Sequence, residues 1–422
     1  MERPPETVRI LRIAAGGDGV ARLADGRVVF VPRTAPGDLV ALAGIQDSAR
    51  YARARVGSLL EAGPARTEPA CPHYGRDDCG GCQLQHLQLP AQREAKRVIV
   101  GDALRRIARL DTADPEIIPA PEAWAYRSRI TLARGPDGFG LHHAGRPDRV
   151  FPLESCLITD AGLMEVWRVL RTLLRRLPPD AGHLVLRRDR TGHRHVVVQT
   201  AGERVWAGGP DLAETLRESG LPVTVWWHPR DGAPRVVGGG ASPYPATVFE
   251  QVNPAMGDRV RRYAVDQAGP LEGRHAWDLY AGTGETTLML LEAGATVDSV
   301  ELDPRAVLVA EREIRTSLGA PPPGPLPQGV QLYTGRAEAL TRSLAPPAVV
   351  IANPPRAGME AAVVGALLER NPVRLVYVSC DPATLARDLR RLAAAFRLAA
   401  VRSFDLFPQT AHVETVVTLE SQ

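Results

Sequence analysis

Asp278-Leu-Tyr-Ala-Gly-Thr-Gly284 is the stretch that decides how the second half of this chain folds. It reads as a strand, residues 276–280, that runs into a glycine-rich turn and then a helix, residues 286–292. Gly282 and Gly284 allow backbone to pass close to a ligand where a Cβ would clash. Glu301 closes the next strand-like run, where a carboxylate accepts hydrogen bonds from both hydroxyls of a ribose. Residues 285–288 contain no further glycine, so the three-glycine dinucleotide fingerprint is absent. That favours S-adenosylmethionine over NAD as the nucleoside ligand.

Working outward, strand-like runs at 296–301, 330–333, 348–352 and 374–378 alternate with helical stretches. This is the pattern of a parallel sheet covered on both faces. The end differs, because 399–404 and 412–419 read as two strands with no helix between them, like the antiparallel pair that ends a seven-stranded methyltransferase sheet. Asn353-Pro-Pro-Arg356 follows one strand and Cys380 follows another, so both are expected at carboxyl strand ends, where open α/β sheets bind ligands. Asp381 suits the cap of the next helix, 382–395, and Pro382 its first position. The positive end of that helix would then face Cys380 and favour thiolate, which makes this cysteine a candidate nucleophile. A structural cysteine remains the alternative. In His412-Val-Glu-Thr-Val-Val the alternation puts Glu414 and Val416 on one face, which by itself reads as a solvent-facing glutamate. The loop Phe407-Pro-Gln-Thr-Ala-His412 is expected to fold over the mouth of the sheet.

Upstream, residues 5–62 read as all-β, with short runs at 8–13, 28–31, 39–43 and 53–60 between Gly, Pro and Asp punctuation, as suits a small barrel. Residues 61–69 read as a linker, and residues 91–110 carry helical apolar spacing. Residues 124–245 mix strand-like runs (126–132, 184–187, 195–199, 223–227) with one helix, 161–177, which indicates an α+β region. Gly238–Gly240 and Pro243–Pro245 mark its end, and residues 319–328 form a proline-rich loop. The expected domains are therefore 1–62, 63–245 and 246–422.

Cys71, Cys79 and Cys82 cluster, and Cys156 stands alone. Zinc ribbons usually show two matched C-x-x-C knuckles, and only one short pair exists here. Three clustered thiolates and a remote one suit a four-cysteine iron–sulfur site better, with zinc as the alternative. The totals set outer limits. A chain of 422 residues is long enough for two or three domains, and 44% hydrophobic with 23% charged residues is ordinary globular composition. A net charge of +3 does not by itself argue for nucleic acid. Lys96 is the chain's one lysine among 51 basic residues. The start of the chain lacks the apolar core of a signal peptide, and no apolar run approaches membrane-spanning length, so the expected location is the cytoplasm. Thiols stay reduced there, and five cysteines read as metal or catalytic candidates.

Taken in order, several motifs resemble the RNA uracil-C5 methyltransferase family, in its branch with a TRAM domain and a [4Fe-4S] cluster that acts on 23S rRNA. They are Cys71-Pro-His-Tyr with Cys79-Gly-Gly-Cys82-Gln-Leu-Gln, Tyr126-Arg127, Phe249-Glu-Gln251-Val-Asn253, Asp278-Leu-Tyr, Asn353-Pro-Pro-Arg-Ala-Gly, Ser379-Cys-Asp-Pro, and Phe407-Pro-Gln-Thr-Ala-His-Val-Glu414. The resemblance covers nearly the whole chain. It implies an N-terminal OB-like TRAM barrel, a central α+β domain with the iron–sulfur site, and a C-terminal Rossmann-like class I methyltransferase domain. It also implies that helix 91–110 packs with the catalytic domain. Cys380 is implied as nucleophile and Glu414 as base, with Gln251, Tyr280, Glu285, Glu301 and Asn353 lining the S-adenosylmethionine site. Cys71, Cys79, Cys82 and Cys156 are implied as cluster ligands. Two departures stand out: the family usually has Asp where this chain has Asn353, and the first cysteine interval is longer, by about residues 76–78.

The reaction expected is addition of Cys380 to C6 of uracil, methylation at C5, and removal of the C5 proton by Glu414. The target base must leave its stack to be reached. Tyr126, Arg127 and Phe249 are candidates for holding it, in a protein expected to act as a monomer on single-stranded or unfolded RNA. Other readings are a tRNA uracil-C5 methyltransferase, an amino-group methyltransferase built on Asn353-Pro-Pro, and an inactive iron–sulfur RNA-binding protein.

Overall fold

The computed structural model describes residues 6–204, 206–240, 244–320, 322 and 324–422. The first five residues, Pro243 of the expected boundary and Pro321 and Pro323 of the proline-rich loop lie outside the described residues.

Three sheets carry the chain. The first has six strands in the order Thr7–Arg9, Leu39–Asp47, Tyr51–Glu61, Val28–Val31, Gly19–Arg22 and Arg12–Ile13. Alternate residues such as Val8, Val29, Val31, Val40, Ala52 and Ala54 form its core. The run 8–13, expected as one strand, is two. Thr7–Arg9 pairs with Leu39–Ala41, whereas Arg12–Ile13 pairs with Gly19–Val20, so the chain changes partners at Ile10–Leu11. The expected linker is not loose. Arg66 pairs with Asp38, whose side chain is fully buried and also accepts from the amides of Ala35 and Gly63.

The second sheet has seven strands, and only Arg194–Thr200 and Thr224–Pro229 are parallel, joined through the helix Gly209–Glu218. The helix expected over 161–177 ends at Leu170 and resumes as a short 3-10 turn, Leu174–Arg176. Thr172 explains the break: its hydroxyl donates to the Val169 carbonyl at 2.8 Å, a local bond that competes with helix continuation.

The third sheet positions the candidate site. Its order is Val330–Thr334, Thr296–Glu301, His275–Leu279, Val349–Ala352, Arg374–Ser379, Glu414–Ser421, Phe396–Phe404 and Ile117–Ile118. The first five strands are parallel and Glu414–Ser421 runs against them. The order reverses between His275–Leu279 and Val349–Ala352, which opens a crevice at the carboxyl edge. The eighth strand was not expected. Two residues are too few to show a period, and they come from upstream of the second sheet. The helix Leu89–Ala103 and its π-helical continuation Leu104–Ala108 bring them there. Val100, Leu104 and Ala108 are buried with Trp277, Tyr377 and Leu385 of the third sheet and its helices. Among the described residues no helix is long and apolar enough to cross a membrane.

Candidate functional site

Four parallel strands deliver their carboxyl ends to one edge. There Tyr280, Glu301, Asn353 and Cys380 line a single cavity of about 950 Å³, together with Gln251, Gly282, Glu285 and Glu414. Register explains the last of these. Ser379 pairs with Thr415 in the antiparallel ladder, so one further step sets Cys380 opposite Glu414. Residues that are 34 apart in sequence thus become neighbours through the topology.

The glycine turn is shaped for a ligand. Tyr280 adopts the left-handed region with φ of 64°, uncommon for a non-glycine residue, and turns the chain across the strand end. Its hydroxyl is buried and meets no hydrogen-bond partner among the described residues. A Cβ on Gly282 would meet no atom within 4 Å, so the turn faces open space. Glu301 is fixed across it: Oε2 accepts from the Gly282 amide at 2.9 Å and Oε1 from the Asp303 amide at 2.8 Å. Each oxygen keeps a free lone pair for a ligand. Gly284 differs from expectation. It does not line the cavity, and a Cβ there would stand 2.6 Å from the Ala310 Cβ, so its missing side chain serves close helix packing. Glu285 is partly occupied, because Arg190 from the second sheet's loop pairs with one carboxylate oxygen and the Thr283 hydroxyl donates to the other at 2.8 Å.

Two acids at this edge are buried. Asp278 is buried in the strand, and desolvation pushes its carboxyl up to about 7 although the Thr287 hydroxyl lies 2.6 Å from Oδ2. Glu414 is 2% exposed, which overturns the solvent-facing reading. Burial pushes it up to about 8, opposed by the Arg356 guanidinium. Strand alternation indicated the face correctly but could not say what covers it.

Cys380 is half-buried and follows the strand Arg374–Ser379. As expected, Asp381 caps the next helix by accepting from the Thr384 amide at 2.8 Å, with Pro382 at its start; that helix stops at Leu392. The thiol is nevertheless pushed up, not down. Burial is the main cause and the nearby Glu414 adds to it, while Arg356 pulls the other way through its charge and a hydrogen bond. Arg356 thus faces both groups, a role its place in Asn353-Pro-Pro-Arg356 did not reveal. A cation near a thiol and a carboxyl favours the charged form of either.

All four remaining cysteines line the same cavity and none is in a disulfide. Burial pushes Cys79 up to about 11 and Cys82 up to about 12, and the neighbouring thiols raise each of them further. Among the described residues no group of three or more His, Cys, Asp or Glu side chains is arranged to hold a metal ion. The longer first interval is tied down: Asp78, with φ of 49°, pairs at 2.7 Å with Arg33, in the turn after the strand Val28–Val31. Of the side chains expected to hold a base, Arg127 and the 63% exposed Phe249 line the cavity. Tyr126 does not. It is buried and its hydroxyl donates to the Pro408 carbonyl at 2.9 Å, so it is committed to the protein interior.

Residues 345–422 match the tRNA (Uracil-5-)-methyltransferase family, a span that includes Asn353, Cys380 and Glu414. Over nearly its whole length the chain is 33% identical to the 23S rRNA (uracil(1939)-C(5))-methyltransferase of Chromohalobacter salexigens, covering 97% of this chain and 88% of that protein. The chain belongs to the RNA uracil-C5 methyltransferase family. A further family relative, an uncharacterized RNA methyltransferase of Gloeobacter violaceus, is 32% identical over 98% of this chain and 96% of its own length. The fold is shared along the full chain with the Pyrococcus abyssi tRNA (uracil-54, C5)-methyltransferase, solved with S-adenosyl-L-homocysteine. The TM-score is 0.72 at 22% identity, covering 98% of this chain and 100% of that one.

Proposed function

We propose that this protein methylates C5 of a uracil in 23S rRNA with S-adenosylmethionine, using Cys380 as nucleophile and Glu414 as base. The observation that carries the reading is the register that sets Cys380 opposite Glu414 at the mouth of one cavity. Membership of the family supports the uracil-C5 chemistry, and the Chromohalobacter relative supports rRNA as the substrate.

S-adenosylmethionine, when bound, supplies the methyl group. The open turn at Gly282, the fixed carboxylate of Glu301 and the unpartnered Tyr280 hydroxyl fit a nucleoside with a polar ribose. Gln251 and Asn353 complete that wall, and Glu285 reaches it with one oxygen on Arg190 and the other on the Thr283 hydroxyl. C5 of uracil is a weak nucleophile. Cys380 thiolate forms a bond to C6, and the displaced electron pair makes C5 enolate-like. C5 then takes the methyl group. Glu414 removes the remaining C5 proton, the double bond re-forms, and the Cys380 thiolate is expelled. Arg356 faces the thiolate in the first step and the carboxylate in the third.

Cys71, Cys79, Cys82 and Cys156 would hold a [4Fe-4S] cluster. A cluster presents its irons at separate corners, so its ligands need not converge on one point as zinc ligands must. Two buried thiols, Cys79 and Cys82, raised by burial and by the neighbouring half-buried cysteines, are donors that such a cationic core would suit. No step of the methylation runs through it. Residues 1–62 are assigned as a TRAM domain for RNA, 63–245 as the central domain and 246–422 as the catalytic domain.

Arg127 and Arg129 are proposed to grip RNA phosphate. Arg127 lines the cavity and Arg129 opens the strand Arg129–Gly135 two residues on, with Arg187 opposite Arg129. Among the described residues neither meets a carboxylate, and Arg129 is pushed down by burial and by its two arginine neighbours. Each alanine variant should weaken RNA binding about tenfold and lower the slope of log affinity against log salt by about one, without changing S-adenosylhomocysteine binding. Isothermal titration over a salt series reads both; an unchanged slope would remove these residues from the RNA path.

The test of function is mapping of 5-methyluridine in 23S rRNA and tRNA from a strain lacking the gene. Loss of one or two 23S sites, restored by the wild-type gene, is the expected result. Loss confined to tRNA would transfer the substrate assignment, and loss of neither would reject the reading.

A further inference from the structure

The segment 405–411 leads directly into Glu414, has no helix or strand of its own, and is almost wholly buried. Buried loops are uncommon because their backbone polar groups need partners. Here four consecutive carbonyls each accept from a different element. Asn253 Nδ2 donates to Leu406 at 3.0 Å and Lys96 Nζ to Phe407 at 2.9 Å. The Tyr126 hydroxyl donates to Pro408 at 2.9 Å and the Leu84 amide to Gln409 at 2.9 Å. The Gln92 amide closes a reciprocal pair with Gln409: its Oε1 accepts from the Gln409 backbone and its Nε2 donates to the Gln409 side chain, both at 2.9 Å. Gln83, next to Cys82, accepts from the Ala411 amide at 3.3 Å. The chain's only lysine is spent here, fully buried, with Nζ 2.5 Å from Asp405 Oδ1.

A left-handed, non-glycine Gln409 with φ of 70° sits at the centre of these bonds. Such a conformation persists only where surrounding contacts over-determine it, and it concentrates at sites that need a fixed geometry. What it fixes is the entry to the strand that begins at Glu414.

We propose that Lys96, Gln92 and Gln83 are positioning residues that hold segment 405–411 so that Glu414 reaches the C5 proton, coupling the cysteine segment to the base. The proposal rests on the reading of Glu414 as base. It implies a specific defect: nucleophilic attack and methyl transfer proceed at Cys380, but release of the adduct slows.

Three variants of the full-length protein test this with unsubstituted RNA and S-adenosylmethionine: Glu414→Gln as reference, Lys96→Met, and Gln83→Ala, which leaves the buried ion pair intact. Expected in both loop variants is a fall in kcat, on the order of 10²-fold for Lys96→Met and about tenfold for Gln83→Ala, with KM for RNA within about twofold. A denaturation-resistant, methylated protein–RNA adduct should accumulate in both, as in the reference. If Lys96→Met does not fold, Gln83→Ala decides alone. Wild-type turnover in Gln83→Ala, or loss of product with no adduct in the folded variants, would overturn the proposal. A reference variant that accumulates no adduct overturns the base assignment itself and this proposal with it.

Discussion

Cys380→Ala is expected to lower methylation by on the order of 10⁴-fold or more, because the covalent step loses its nucleophile. RNA carrying 5-fluorouracil separates this from weaker explanations. Fluorine at C5 cannot be removed as a proton, so the wild-type protein should be trapped as a denaturation-resistant adduct after methyl transfer. Cys380→Ala should form none. Because Cys380 is only half-buried, the substitution should change stability by about 1 kcal/mol or less, and S-adenosylhomocysteine binding should be unaffected. Two results would sink the nucleophile assignment: an adduct that survives the substitution, or methylation that continues without the thiol. The second would favour amino-group transfer at Asn353-Pro-Pro355.

Glu414→Gln has the second large expected effect, and it has two parts of opposite sign. Turnover should fall by about 10²–10⁴-fold, the usual contribution of a positioned base. Stability should rise. Burial holds the Glu414 carboxyl up to about 8, well above an unfolded glutamate. The folded state therefore keeps a proton that the unfolded chain has lost across that interval. Its contribution to stability is present below the unfolded value and is lost as pH rises towards 8. Glutamine removes that penalty, so the variant should gain on the wild type as pH rises from about 5 to about 8, by on the order of a few kcal/mol at the upper end. Thermal melts of both proteins across this range read the gap directly. A gap that stays flat or narrows with pH would mean the carboxyl is ionised throughout. The same ionisation governs rate. Only the carboxylate can accept the C5 proton, so wild-type kcat/KM should climb through pH 8.

Much of the catalytic sheet was legible because its strands announce themselves. Thr296–Glu301 has the bounds that its β-branched run and flanking breakers indicate, as does Val28–Val31 in the first sheet. The position of Cys380 was legible too, since a thiol after a buried strand and before a capped helix has one place to go. Glu414 was not legible from periodicity. An alternating strand distinguishes two faces, and whether the second face is wet depends on what the rest of the chain packs against it, which no local pattern displays. Ile117–Ile118 and Arg356 were hidden for the same reason: each is defined by a partner far along the chain. Gly284 shows a converse case: a motif residue read for its turn also leaves the room that the Ala310 side chain occupies.

The bond from Lys96 to Asp405 spans 309 positions, and that from Gln92 to Gln409 spans 317. A ribosome makes the first partner long before the second. Until residue 405 has left the exit tunnel, the ammonium of Lys96 has no counter-charge and its helix cannot settle into the interior. Cys380 emerges earlier than Glu414, so an unfinished chain has a thiol without its acid. The enzyme therefore becomes competent only after Asp405 and Glu414 have both emerged, and chains cut short anywhere before Asp405 should be soft near Lys96 and open to proteolysis there.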